Sequence, residues 1–117
     1  MAIEAAVDPR SGLAPATALF RSLADPARLA IVRMLAQHGE ARVVDLTAAL
    51  GLAQPTVSKH LACLRDCELV TSRAEGRQSF YSLTRPKLVE LLASAEALLE
   101  ATGSAVALRP NYGKGTP

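Results

Sequence analysis

Tryptophan is absent from this 117-residue sequence, and other aromatic residues are rare. Only Phe20, Phe80, Tyr81 and Tyr112 occur, although half of all residues are hydrophobic. The core must therefore consist of aliphatic side chains, a composition that favours packed helices. A chain of this length fits one domain. Because so small a domain buries only part of its apolar surface, a second copy is a natural partner.

Cysteine and long apolar runs are also scarce. Cys63 and Cys67 are the only cysteines. Their spacing leaves no distant partner for a disulfide framework, so we expect a reducing, cytoplasmic environment. No segment approaches the roughly 18 uninterrupted apolar residues of a membrane span. The first residues lack the basic and apolar regions of a signal peptide. We therefore expect no membrane partner.

Neither sign of charge dominates the sequence. The sequence contains thirteen Lys and Arg residues and eleven Asp and Glu residues, which gives a formal net charge of +2. Composition alone therefore gives no argument for nucleic acid. The sequence also lacks a glycine-rich phosphate loop, a nucleophile grouped with His and Asp, and an evident pair of catalytic carboxylates. These absences predict that the protein is not an enzyme.

Gly and Pro residues divide the chain into a mainly helical plan. We expect a flexible arm at residues 1–12 and a flexible tail at residues 104–117. Residues 13–103 are predicted to form one domain, in the order helix, helix, helix, turn, helix, β-hairpin, helix. The expected elements are a helix from Pro15, a helix from Pro26 closed by Gly39, helices Val43–Leu50 and Pro55–Cys67, strands Leu69–Arg73 and Gln78–Leu83, and a helix from Pro86.

The third and fourth predicted helices, separated by a short turn after Gly51, have the pattern of a helix-turn-helix. In such a motif, small polar and basic side chains at the start of the second helix approach base edges and phosphates. A helix N-terminus itself favours phosphate. On a helical wheel Lys59 and His60 point well away from the core side, which Val57 marks. The candidate DNA contacts on this helix are Gln54, Thr56, Ser58, Lys59 and His60.

The predicted hairpin carries basic residues next to its Glu75-Gly76 tip. Arg73, Arg77 and Gln78 lie there and are suited to backbone phosphate or a minor groove. An ordinary solvated helix and hairpin would explain each feature separately. The hairpin follows the helix-turn-helix directly, however, and this combination favours DNA binding. The predicted fold class is a winged helix-turn-helix, mainly α with a β-hairpin wing.

Three segments resemble the ArsR/SmtB family of metal-responsive repressors: LFRSLADPARLAIVRML, DLTAALGLAQPTVSKHLACLRDCELV and EGRQSFYSL. The similarity extends from about Thr17 to Leu99. It implies a homodimer formed through the first and last helices. It also implies binding to double-stranded operator DNA and release when an inducer binds. An apolar stripe on the last helix agrees with a covered surface: Leu88, Leu91, Leu92, Ala95, Leu98 and Leu99.

The family places metal ligands at several alternative sites, and most are missing in this sequence. Val43 and Val44 stand where arsenic and cadmium sensors carry cysteines. The last helix has glutamates but no His, which zinc, nickel and cobalt sensors require. The remaining candidate is Cys63-Leu-Arg-Asp-Cys67, similar to the cadmium- and lead-responsive CmtR type. The two positions are one helical turn apart, on a stripe that includes His60.

Cysteine thiolates favour soft metals. The expected inducer is therefore Cd²⁺ or Pb²⁺, with Hg²⁺, Zn²⁺ and As(III) as alternatives. The CmtR type takes a third cysteine from its C-terminal region, whereas Leu108 falls near that place in this chain. Two sulfurs satisfy linear Hg or Cu(I) but not Pb or Cd. His60, a Glu, the tail or small thiols would have to complete the site, unless the site is degenerate.

Other interpretations of the cysteine pair stay open. Free cysteine is often a small core residue, and Cys63 and Cys67 lie at the flank of the predicted core. A repressor with thiol oxidation as its signal, or with no inducer, is the alternative function. A disulfide between residues four apart would strain the helix, which disfavours a simple Cys63–Cys67 switch.

Overall fold

The structure is a computed structural model that describes residues 8–103. It confirms the predicted winged helix-turn-helix, with a hairpin between the fourth helix and the last. The elements are α1 (Ala14–Leu23), α2 (Pro26–His38), β1 (Ala41–Arg42), α3 (Val43–Leu50), α4 (Gln54–Asp66), β2 (Val70–Glu75), β3 (Gln78–Leu83) and α5 (Lys87–Ala101).

The predicted arm and tail fall largely outside the described residues. Residues 1–7 and 104–117, which include Leu108 and Tyr112, are not described, so the expected domain bounds stay a prediction. Residues 8–12 form exposed turns before α1. No helix within residues 8–103 combines the length and apolar character needed to cross a membrane.

The start and end of α2 follow directly from the sequence. Asp25 is the N-cap, and its carboxylate accepts a hydrogen bond of 3.0 Å from the backbone N–H of Arg28. Pro26 occupies the first position, where its missing N–H costs nothing. Gly39 ends the helix at a φ of 85°, and its N–H donates to the carbonyl of Leu35. Gly39 therefore ends α2, as the sequence predicted.

The sheet contains one strand more than expected. Its order is β1-β3-β2, and all neighbours are antiparallel. The two residues of β1 pair with Phe80 and Tyr81, and a strand so short has no periodicity to predict it. The strand β2 begins one residue later than predicted and continues to Glu75, which faces Gln78 across the turn.

The core is aliphatic, as the composition predicted. Side chains from all five helices and from β1 and β2 meet in one cluster. Its members are Leu23, Ile31, Val32, Leu35, Ala41, Leu46, Val57, Leu61, Leu64, Val70, Leu88 and Leu92. Burial of each large aliphatic side chain stabilises the fold by about 1.5–3 kcal/mol. This cluster fixes α4 and the wing on one framework.

Candidate functional site

The turn between α3 and α4 has the geometry of a helix-turn-helix. Gly51 ends α3 in the left-handed region at a φ of 67°, where a glycine avoids the clash of a side chain. Its N–H donates to the carbonyl of Thr47 at 2.9 Å. Val57, Leu61 and Leu64 are at most 1% exposed and anchor the inner face of α4. The outer face of α4 is therefore held in a fixed orientation relative to the core.

The first turn of α4 presents polar groups to solvent. Gln54, Thr56, Ser58 and Lys59 are all exposed. The N-cap is Ala53, which has no side chain able to accept a backbone hydrogen bond. Pro55 has no N–H, and the N–H groups of Thr56 and Val57 already donate to the carbonyl of Ala53, so this turn offers DNA mainly its exposed side chains. Four of the five predicted contacts on this helix are accessible to solvent.

His60 is less accessible than the other predicted DNA contacts on α4. Its side chain is 18% exposed. Its Nδ1 lies 3.2 Å from the guanidinium of Arg28 and 3.9 Å from the carboxylate of Asp25. The ring therefore joins α4 to the start of α2. A helical wheel separates His60 from Val57 but takes no account of a neighbouring helix, so the contact with α2 was not predicted.

The tip of the wing carries an accessible cation. Gly76 has a φ of 62° in the tight turn that joins β2 to β3. Arg77 and Gln78 follow it and are exposed. Within residues 8–103, the side chain of Arg77 makes no ion pair. Its charge is available to an anion outside the chain.

Arg73, by contrast, is bound inside the protein. Its guanidinium forms ion pairs with Glu40 at 2.8 Å and with Glu75 at 2.7 Å. It also lies over the ring of Phe80, 4.6 Å from the centroid. Hydrogen bonds to Glu40 and Glu75 raise the pKa of Arg73 further above its usual value. Arg73 lies near the wing tip, as predicted, but its ion pairs with Glu40 and Glu75 were not predicted from the sequence.

The two cysteines converge on one hydroxyl. The Oγ of Ser22 in α1 lies 2.7 Å from the Sγ of Cys67 and 3.8 Å from the Sγ of Cys63. Cys67 also lies 3.8 Å from the carbonyl of Ala18. Ser22 is 3% exposed, whereas both thiols are partly accessible. The end of α4 and the end of α1 thus meet at a small sulfur and oxygen cluster.

This cluster offers few further metal ligands. Within residues 8–103, no group of three or more His, Cys, Asp and Glu side chains is placed to hold a metal ion. The predicted stripe of Cys63, Cys67 and His60 does not form a site, because His60 contacts Arg28. Two thiols and the hydroxyl of Ser22 are the donors that the geometry brings together. Such a set fits a soft ion of low coordination number.

An apolar groove begins beside Cys67. Its volume is about 440 Å³, and it lies between α1, the end of α4 and α5. Four of its eight lining residues are leucines, and three are charged. The lining residues are Leu19, Cys67, Glu68, Leu69, Arg85, Lys87, Leu88 and Leu91. A molecule bound at the thiol therefore has apolar surface next to it.

A second apolar surface connects α1 and α5. Phe20 is 59% exposed and Leu98 is 67% exposed, a high accessibility for side chains of this size. A smaller cavity of about 250 Å³ lies beside Phe20, between α1, α2 and α5, and is lined mainly by leucine and alanine. The predicted stripe on α5 is split: Leu88 and Leu92 face the core, and Leu98 faces solvent.

No sequence pattern indicated several of these contacts. Ser22 lies 41 and 45 residues from its two sulfur partners, and no local pattern relates them. The same holds for Glu40 and Arg73, which are 33 residues apart. Only the meeting of α1 with α4, and of the α2–β1 loop with the wing, brings these groups together.

Comparison with known proteins gives consistent results. The family described as "Bacterial regulatory protein, arsR family" matches residues 25–72. The probable mercury resistance operon repressor of Streptomyces lividans is 38% identical over 68% of this chain. The arsenical resistance operon repressor of Escherichia coli (strain K12) is 46% identical over 56%. These matches span 62% and 56% of the two relatives' own lengths.

A third relative and two solved structures agree. The HTH-type transcriptional regulator CmtR of Mycobacterium tuberculosis is 45% identical over 63% of this chain and 62% of its own length. The crystal structure of M. tuberculosis Rv0081 is 31% identical with a TM-score of 0.73, and the match covers 82% of this chain and 94% of that one.

The second structure is the winged helix-turn-helix domain of Mb0332 from Mycobacterium bovis, described as homodimeric and DNA-binding. It is 29% identical with a TM-score of 0.71, and the match covers 86% of this chain and 91% of that one. These relatives and neighbours are transcriptional regulators, not enzymes. The chain belongs to the ArsR family of bacterial regulatory proteins.

Proposed function

We propose that this chain is a homodimeric, cytoplasmic DNA-binding repressor that releases its operator when a soft metal ion binds Cys63 and Cys67. The observation that carries the proposal is the convergence of both sulfurs on Ser22 at the end of α4. The opposite end of this 13-residue helix presents the exposed polar side chains. One rigid element thus links a metal-binding end to a DNA-reading end.

The DNA-binding part of the proposal depends on α4 and the wing. Gln54, Thr56, Ser58 and Lys59 would enter the major groove. Arg77 and Gln78 would contact backbone phosphate beside it. His60 and Arg73 remain candidate contacts. Each would have to exchange its present partners, Arg28 for His60 and two glutamates for Arg73, before it could bind DNA.

The homodimer is supported by the apolar surface of α1 and α5. Phe20 and Leu98 would be covered by the same surface of a second copy, as a two-fold interface requires. The neighbouring Mb0332 domain is described as homodimeric. A dimer would also place two α4 helices at a fixed separation, which recognition of two half-sites demands.

The inducer is proposed from the donor set. Two thiols favour soft ions over hard ones, and two relatives are named for mercury and arsenical resistance. Cd²⁺ and Pb²⁺, the ions expected from the sequence, need donors beyond the two sulfurs. A bound ion would supply a bridge between two thiolates and displace their protons.

Release of DNA would follow from the position of the two cysteines at the end of α4. An ion held by both sulfurs would alter their contacts with Ser22 and hence the packing of α1 on α4. Because half-site spacing is strict, a small rotation of α4 is enough to misplace one reading helix. A coupling of about 1–3 kcal/mol between metal and DNA is ordinary and corresponds to roughly 5- to 150-fold in affinity.

The metal part is tested with a Cys63→Ser, Cys67→Ser double variant. DNA affinity is measured by fluorescence anisotropy with the upstream region of the gene, against a panel of Hg²⁺, Cd²⁺, Pb²⁺ and Zn²⁺. The parent should lose affinity with at least one ion, and the double variant should bind DNA and ignore all of them. Equal release of both proteins would place the ligands elsewhere. Release of the parent by an oxidant alone would favour thiol oxidation instead.

The DNA part is tested with Lys59→Ala and a matched control, Lys87→Ala on α5. Loss of one phosphate contact should reduce the salt dependence of binding by about one unit of slope. We expect this reduction for Lys59 and no change for Lys87, which lies on another element. Equal slopes for both variants would show that α4 does not face the DNA.

A further inference from the structure

The groove beside Cys67 has the size and lining of a site for a small apolar group. Leu19, Leu69, Leu88 and Leu91 supply its walls, and the thiol lies at its edge. A cavity of about 150 Å³ lined by aliphatic side chains accommodates benzene. The volume of about 440 Å³ therefore leaves room for an aromatic ring.

The thiols next to the groove restrict which thiophile fits there. The whole sequence contains two cysteines, so one chain supplies two thiolates and no third. Trivalent arsenic forms three covalent bonds, and inorganic arsenite thus needs three thiolates for full sulfur ligation. An organic arsenic with one carbon substituent needs two. An organomercury cation is linear and uses only one thiolate.

We propose that Cys63 and Cys67 together bind trivalent arsenic that carries one aryl group, and that the ring lies in the leucine groove. The proposal rests on the proposed function, because it names the inducer class of the same cysteine pair. Each thiol transfers its proton to one hydroxyl of an arylarsonous acid, ArAs(OH)₂. Two As–O bonds break, two As–S bonds form and two waters leave. Arsenic stays trivalent, so no oxidant or reductant is required.

The experiment compares phenylarsonous acid, methylarsonous acid and arsenite on the reduced full-length protein. Each affinity is measured by native mass spectrometry in competition with dimercaptopropanol, a soluble dithiol. Because the reference forms the same two As–S bonds, the ratio isolates what the groove adds. We expect a phenyl advantage over methyl of roughly ten- to hundredfold, the range given by burial of a ring-sized side chain.

Variants assign that advantage to the groove. Leu19→Phe narrows the groove without touching the sulfurs and should remove the phenyl advantage while methyl binding persists. Leu91→Phe is a second filling variant on α5, for the case in which the first does not fold. Val44→Phe is the matched control, since Val44 is exposed on α3 and does not line the groove. It should keep the full advantage.

The outcomes separate this inference from the proposed function. Equal phenyl and methyl ratios, or a phenyl advantage that survives both filling variants, overturn the aryl groove. The metal-sensing proposal would still hold in that case if Hg²⁺ binds the pair and releases DNA. If neither the arsenicals nor the metal ions bind Cys63 and Cys67, both proposals are wrong. If the chain's own C-terminal residues or a second copy occupied the groove, the phenyl and methyl ratios would be equal, and the aryl groove would be overturned.

Discussion

The hydroxyl of Ser22 lies 2.7 Å from the sulfur of Cys67, although the two residues are 45 positions apart. Ser22 is buried near the end of α1, and Cys67 caps the end of α4. This contact therefore joins the helix of the proposed dimer surface to the helix of the proposed DNA surface. Any ligand that takes the sulfur must change the bond to Ser22.

We predict that Ser22→Ala weakens the coupling between metal and DNA. A metal that takes both sulfurs leaves the buried hydroxyl of Ser22 without its partner, and this cost drives α1 to move. Removal of the hydroxyl removes the cost. A hydrogen bond contributes about 0.5–1.5 kcal/mol, so the ratio of DNA affinities without and with metal should fall roughly two- to tenfold. Metal affinity in the absence of DNA should not decrease.

Ser94→Ala, an exposed position on α5, is the control for this measurement. It should leave the coupling ratio at the parent value. The role assigned to Ser22 is wrong if Ser22→Ala and Ser94→Ala release DNA equally with metal. A metal affinity that falls in Ser22→Ala would show instead that the hydroxyl is a ligand.

A second prediction converts the cluster into a three-sulfur site. Ser22→Cys places a sulfur where the hydroxyl now faces Cys63 and Cys67. Three thiolates suit Pb²⁺ and Cd²⁺ better than two, so affinity for these ions should rise at least about tenfold, or about 1.4 kcal/mol. The measurement is the thiolate-to-metal charge-transfer absorbance during titration. Ser94→Cys adds a thiol at an exposed position away from the cluster, and an equal gain there would contradict the geometry.

A third prediction separates the two arginines of the wing. Arg77→Ala should shallow the salt dependence of DNA binding by about one unit of slope, because its charge is free to contact phosphate. Arg73→Ala should change the slope less, since Glu40 and Glu75 already compensate its charge. The bond from Arg73 in turn holds the pKa of Glu40 below its usual value. Binding to a labelled duplex between low and moderate salt measures all these slopes.

Glu40→Gln gives the reciprocal test. It removes one of the two charges that compensate Arg73 and should make DNA binding tighter at low salt. If Arg73→Ala and Arg77→Ala change the slope equally, the ion pairs of Arg73 open on the DNA and do not restrain it. If neither variant changes the slope, the wing stands away from the duplex.

The sequence predicted the elements of the fold because their signals are local. Asp25 and Pro26 open α2, Gly39 and Gly51 end helices, and Gly76 forms the turn of the wing. Each of these signals acts over a few residues. The same local pattern identified the exposed start of α4 and the pair of cysteines.

What the sequence did not predict depends on contacts between distant segments. A helical wheel shows which side of α4 carries His60, but the contact with Arg28 exists only because α2 packs there. The ion pair of Arg73 with Glu40 depends on the position of the loop before β1. Ser22 is an ordinary polar residue on a helix, and only the packing of α1 against α4 brings it to the cysteines.

The last prediction concerns the pH dependence of stability at the N-cap of α2. The backbone hydrogen bond from Arg28 lowers the pKa of Asp25, with smaller contributions from the nearby charges of His60 and Arg28. A carboxyl whose pKa is depressed in the folded state stabilises the protein above its unfolded pKa. That contribution is lost as the pH falls through the folded pKa. Asp25→Ala should therefore lower Tm by several degrees at neutral pH.

Asp25→Asn separates the hydrogen bond from the charge, because asparagine also caps helices well. Its Tm at neutral pH should lie between those of the parent and Asp25→Ala. The gap between the parent and Asp25→Asn should begin to narrow below about pH 4, the ordinary pKa of an aspartate, and should close further as the pH falls through the depressed pKa of the folded state. Thermal unfolding followed by circular dichroism from pH 7 to pH 3 provides the comparison. Equal Tm values for the parent and Asp25→Ala at pH 7 would rule out a stabilising cap, and a gap independent of pH would rule out the charge.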